Sequence, residues 1–188
     1  LAHMKNAVSP VSQRETALRA RIERQLIDLA DALIAANPAE RADLIWRQHT
    51  PADKICTIPP GVDVELFTPR NQELSRRLIH PELQGNVITF VGRVDPIKGI
   101  DTLLDVAAIL VQRDIPFTVV FVGGDLDANG APAGALADVA EATARLGIRD
   151  RFFFVGAQPQ NQLPVFYSAA DVVIVPSRYE SFGLVAVE

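Results

Sequence analysis

Four short apolar runs constrain this chain more than any other feature. They are "NVITFVG" at 86–92, "FTVVFVGG" at 117–124, "RFFFVG" at 151–156 and "DVVIVPS" at 171–177. Each is far shorter than the ~20 residues that span a bilayer. Each is also too continuously apolar to be a strand with one wet face. The segments between them, "GIDTLLDVAAILVQRD", "GALADVAEATARLG" and "NQLPVFYSAA", carry helical periodicity. Strands buried on both sides and alternating with helices require a parallel sheet covered on both faces. The expected fold class is therefore α/β, a Rossmann-like parallel sheet flanked by helices. Gly147 stands where a helix C-cap glycine belongs.

A second alternation precedes it. Residues 12–30 place Leu18, Ile22, Leu26 and Leu29 at helical spacing, with Ser12 and Glu15 as a capping box. "DALIAAN" reads as a short strand. Asn37-Pro38 opens a helix running toward Thr50-Pro51, and "KICTIPP" reads as a buried strand with Cys56 as a packing thiol. Residues 59–85 are rich in turns, with a short helix at Gln72 to Ile79. The chain thus divides into residues 1–60, the incomplete end of one Rossmann-like domain with its linker, and residues 61–188, a second such domain expected to continue beyond Glu188.

The totals exclude several classes. A formal net charge of −5 argues against generic nucleic-acid binding, which needs a basic face. One cysteine excludes an internal disulfide framework and suits a reducing compartment. With no apolar span and no signal peptide in the opening residues, a cytoplasmic location is expected, and peripheral membrane association finds no support.

Ligands of open parallel sheets bind beyond the C-terminal ends of the strands. Those ends are "GRVDPIKG", "GGDLDANG", "GAQPQ" and "PSRYESFG". Ile97 and Gly99 stand where a Walker loop needs glycine and a hydroxyl, and G-x-G-x-x-G follows none of the strands. His3, His49 and His80 lack metal-ligand spacing, and the latter two suit capping or surface roles at helix ends. What remains is a pair of cations. Arg93 and Lys98 flank a turn stiffened by Pro96, and a diphosphate there would accept charge-assisted hydrogen bonds of roughly 1.5–3 kcal/mol each. The same two residues fit equally well as partners of Asp95 and solvent.

"ESFGLVAVE" then sets Glu180 and Glu188 seven residues apart around a turn into a helix. A helix beginning near Phe182 would offer the amides of Phe182, Gly183 and Leu184 to an anion or sugar oxygen. Two carboxylates repel phosphate and suit hydroxyls, so cations flanked by hydroxyl acceptors point to a nucleotide-sugar.

In this order "IPPGVD", "F-x-P", "VGR-x-x-x-x-KG", "VGG" and "PS-x-x-ESFGL-x-x-x-E" resemble the donor half of family 4 retaining glycosyltransferases (glycosyl transferases group 1), of the GT-B fold. The resemblance covers nearly the whole chain. The opening "LAHMKNA" and "ADALIAANPAE" resemble the end of that family's N-terminal acceptor domain, in the branch related to sucrose-phosphate synthases and glycosyltransferases of sugar phosphates.

The resemblance implies a hexosyltransferase acting with retention. Arg93 and Lys98 would hold the donor diphosphate, Glu180 the hexose hydroxyls and Glu188 the ribose hydroxyls. Backbone donors from Ser181, Phe182, Gly183 and Leu184 would meet the sugar or β-phosphate. Gly92 lies in the donor motif, Gly61 would permit a tight interdomain turn, and Gly123 and Gly124 would leave room beside the nucleotide. No metal or other cofactor is implied, because side-chain cations take the metal's place. The expected donor nucleotide is UDP, ahead of GDP and ADP, and the acceptor is a sugar, a sugar phosphate or a lipid. The family's important histidine and acceptor contacts lie upstream, so this segment alone is expected to bind donor without catalysing transfer. An epimerase or phosphorylase of the same fold, or a non-catalytic phosphate-binding module, would share these features.

Overall fold

The computed structural model describes residues 17–83 and 85–188; the Ser12–Glu15 capping box lies outside them. Contacts divide the chain into two units. One comprises residues 1–62 with 178–184, the other residues 63–177 with 185–188.

The first unit holds helix α1 (Ala17–Leu29), strand β1 (Leu33–Ala35), helix α2 (Pro38–Trp46) and strand β2 (Ile55–Thr57). The strands pair in parallel, Leu33 opposite Ile55 and Ala35 opposite Thr57. Asn37 starts α2 as expected: its side chain accepts from the Glu40 amide at 2.8 Å, and Pro38 takes the first helical position. The helix ends at Trp46, short of Thr50-Pro51.

Among the described residues Ile27, Ala35, Leu44 and Ile55 form this unit's core. The expected helix is present, with Leu18, Ile22, Leu26 and Leu29 exposed and Ile27 buried. One expectation fails here: Cys56 is an exposed free thiol, not a packed one. Alternation along the paired strands turns Ile34 and Cys56 to a face left exposed.

The second unit opens with helix α3 (Gln72–Ile79), capped by the Asn71 side chain, which accepts from the Leu74 amide. It continues through strand β3 (Val87–Val91), helix α4 (Ile100–Gln112) and strand β4 (Thr118–Val122). Strand β5 (Asp125–Leu126), strand β6 (Pro132–Ala133), helix α5 (Ala135–Arg145) and strand β7 (Phe152–Gly156) follow. Helix α6 (Leu163–Ala169), strand β8 (Val172–Val173) and helix α7 (Leu184–Val187) complete the order.

Strands β3, β4, β7 and β8 form one parallel sheet in the order β7-β4-β3-β8. The period of two along β4 sorts its side chains between two cores. Val119 and Phe121 pack with Leu103, Leu136 and Phe154, while Val120 and Val122 pack with Val87 and Phe166. Sheet and helices thus bury both faces, which is why the strands read as unbroken apolar runs. Gly147 ends α5 in the left-handed region at φ 69°, its amide donating to Ala144.

Strands β5 and β6 form a small antiparallel hairpin that the sequence reading passed over. Its signal was "DANG": the Asp127 carboxylate accepts from the Asn129 and Ala131 amides and closes the turn. The strand read from "DVVIVPS" is also shorter than expected, with only Val172 and Val173 in the ladder.

Candidate functional site

The strand order places the site. From β3 the chain winds outward through β4 to β7, then returns to the other side of β3 as β8. The reversal between β3 and β8 is the topological switch point of the sheet, where the loops following the two strands diverge and leave a crevice. "GRVDPIKG" follows β3 and "PSRY" follows β8, so the motif residues reach this crevice because of the winding.

The loop after β3 is built by its own residues. Asp95 accepts from the Ile97 amide at 3.1 Å and starts a single 3₁₀ turn, Pro96–Lys98. Gly99 closes that turn at φ 65° and opens α4. A Cβ at Gly99 would lie 2.1 Å from the Pro176 carbonyl oxygen, so the loop carrying Lys98 lies directly against the backbone leaving β8. Only glycine meets both demands. Arg93 keeps 80% of its side chain exposed and stands 3.8 Å from Asp95, a loose pair of little worth. Its guanidinium is thus accessible to an anion. Lys98 is half-buried.

Three strand ends meet beside Arg93. The Gly92 amide donates to Val122 at 3.0 Å, the Gly123 amide to Gly156 at 2.8 Å, and the Ala157 amide to Gly124 at 2.7 Å. Gly123, at φ 138°, comes so close that a Cβ there would stand 1.8 Å from the Gly92 carbonyl. A Cβ at Gly124 would meet Leu136 and Val94 at 2.9 Å. On the side where a Cβ would project, the protein's own backbone and side chains pack against Gly123 and Gly124. Gly92, Arg93, Gly123, Gly124 and Gln158 nevertheless line one cavity of about 240 Å³ at the strand ends. Gln158 is held there by donating to the Val155 carbonyl at 2.8 Å.

Glu188 lies in a neighbouring cavity of about 440 Å³, with Phe67, Arg70 and Tyr167. Leu163 lines the first cavity and Pro164, the next residue of α6, lines the second. The Glu188 carboxylate accepts from the Tyr167 hydroxyl at 2.7 Å and from the Gln160 amide group at 3.2 Å. Burial, and then the hydrogen bond to Glu188, hold the Tyr167 phenol far above its ordinary value, so it stays protonated and donates. Tyr167 was not among the residues expected at the site; an aromatic in an apolar helix gives no sign of a distant partner.

The remaining expected residues belong to the first unit. Glu180 is exposed, and the Ser181 carbonyl accepts a hydrogen bond from Asn37 Nδ2. Helix α7 starts at Leu184 and not at Phe182, so Phe182 and Gly183 precede its first turn. Nothing stands within 4 Å of the place a Gly183 side chain would take. Gly61 has the same open surroundings and no left-handed backbone.

A doubly covered parallel sheet with a cationic loop and packed glycines at its switch point makes a Rossmann-like unit. The chain belongs to the glycosyl transferases group 1, whose family model matches residues 71–188, while the Glycosyltransferase Family 4 model matches residues 2–66. It is 42% identical over 197 residues to a D-inositol 3-phosphate glycosyltransferase of Corynebacterium diphtheriae, covering 100% of this chain and 44% of that protein. Identity to the protein of that name from Salinispora arenicola is 40%, again covering 44% of the relative.

Among solved structures, a sucrose-phosphate synthase of Thermosynechococcus elongatus superposes with a TM-score of 0.81 at 31% identity, covering 100% of this chain and 45% of that one. Anabaena HepE, solved with UDP and glucose, shares the fold at a TM-score of 0.75 and 23% identity, over 94% of this chain and 46% of that one. The chain spans under half the length of the two curated relatives named above.

Proposed function

We propose that the protein transfers a hexosyl group, with retention, from a nucleotide-sugar to an acceptor, and that this chain supplies the grip on the donor diphosphate. One observation carries the reading: an accessible Arg93 beside a cavity at the C-terminal strand ends, on the loop that also bears Lys98. When the bond between sugar and phosphate breaks through an oxocarbenium-like state, negative charge grows on the leaving diphosphate. Cations fixed beforehand stabilise that charge more than they stabilise the bound substrate. Arg93 and Lys98 would supply them, with no divalent metal required.

The names of the relatives favour a phosphorylated sugar or polyol among the expected acceptors. A cytoplasmic setting goes with this reading, in keeping with a free thiol at Cys56.

Titration of the intact protein with UDP, GDP and ADP tests the donor site. At least one is expected to bind, with UDP first, and Arg93→Ala is expected to abolish that binding. Absence of binding to all three would favour a phosphate-responsive module over a transferase. Binding untouched by Arg93→Ala would move the diphosphate away from this loop.

A further inference from the structure

The Glu188 carboxylate has both of its oxygens engaged by side-chain donors. Tyr167 Oη donates to Oε2 at 2.7 Å and Gln160 Nε2 donates to Oε1 at 3.2 Å. The two donors come from different elements. Tyr167 stands on α6, with its ring against Phe67 at 6.1 Å between centroids, and Gln160 begins the 3₁₀ turn that leads into α6. A carboxylate on a free side chain rotates and samples many orientations; one gripped at both oxygens keeps a single plane. An ionised carboxylate has about four acceptor positions, and these bonds use two. One further position is left on each oxygen, which is what two neighbouring hydroxyls would use.

Resting on the reading of Glu188 as the acceptor for the donor's ribose, we infer that Tyr167 and Gln160 are positioning residues that lock the Glu188 carboxylate to recognise a vicinal diol. Neither need touch the nucleotide. Tyr167 suits the task because a phenol can only turn its proton about the ring axis, whereas a flexible donor would let the carboxylate swing. The Phe67 contact restrains the ring that carries it. The consequence is selective. Loss of either donor weakens discrimination between a ribose and a sugar lacking its hydroxyls, with little effect on the grip on the diphosphate.

The test compares UDP with 2′,3′-dideoxy-UDP, or the GDP or ADP pair if that base binds, on the intact protein and on Tyr167→Phe, Gln160→Ala and Glu188→Gln. The unaltered protein is expected to prefer the ribose form by ~10-fold or more, as for a lost hydrogen bond to a charged group. Tyr167→Phe is expected to cut that preference by ~5-fold or more, leaving the dideoxy affinity unchanged; Gln160→Ala acts in the same direction and remains readable if Tyr167→Phe does not fold. If Glu188→Gln removes the preference while Tyr167→Phe and Gln160→Ala keep it, the positioning role is wrong and the ribose assignment stands. If Glu188→Gln also keeps it, or no preference exists, the ribose assignment fails and the positioning role fails with it. A uniform loss of affinity for both forms in Tyr167→Phe marks a merely structural contact and overturns the inference.

Discussion

Two lysines stand in contrasting settings. Lys54 donates through Nζ to the carbonyls of Ile27 and Asp28, at the C-terminal end of α1, where a cation meets unpaired carbonyls and the negative end of the helix dipole. Lys98 sits instead on the switch-point loop, oriented by the Asp95 cap on one side and by Gly99 pressed against Pro176 on the other. In the intact protein Lys98→Ala is expected to lower the transfer rate by ~10²–10³, the usual cost of one preorganised donor. Lys54→Ala is expected to keep the rate and lose about 1 kcal/mol of stability. Steady-state rates and urea midpoints of both variants check this; equal rates would remove Lys98 from the reaction.

At the scale of elements, α3 is clipped to the sheet by one carboxylate. Asp171, just before β8, accepts from the Val87 amide at 2.7 Å and from Arg76 at 2.7 Å, while Arg76 Nε donates to the Ala169 carbonyl. The backbone bond from Val87, followed by the Arg76 charge, holds the Asp171 carboxyl below its ordinary value of 3.8. A carboxyl depressed on folding stabilises above its unfolded value and loses that contribution as pH falls through its folded one. Asp171→Asn is therefore expected to cost about 1 kcal/mol near neutral pH, the exposure of the pair discounting the fuller value of a buried charged bond. The difference from the parent should shrink steadily below pH ~4. Urea melts across that range decide it: a gap that persists at low pH would assign the loss to something other than the charge.

Taken whole, the molecule is uneven in what it buries. The second unit closes two cores around β4, with Val119, Val120 and Phe121 fully buried, whereas the first unit packs four residues beneath a two-stranded sheet. Hydrogen exchange of the 188-residue chain should find the β4 amides slowest and those of β1 and β2 faster by orders of magnitude. Comparable protection in both would contradict this unevenness.

Much of this was open to reading in the residues, and the exceptions have a common cause. Periodicity is local, so the strands, the helices from Gln72 onward and the Asn37 cap could be placed without coordinates. Resemblance of motif order named the family for the same reason: loops at strand ends keep their residues next to each other in the chain. Burial of α1, the exposure of Cys56 and the partners of Glu188 depend on which surfaces meet, and no local pattern encodes that. The glycines show the divide most clearly. "VGG" announced a special backbone position, but only the fold reveals that the Gly92 carbonyl stands where a Cβ would project. A sequence states what each segment can become. Tertiary structure alone decides which atoms lie within a few ångströms of one another, and hydrogen bonding, burial and charge all act at that range.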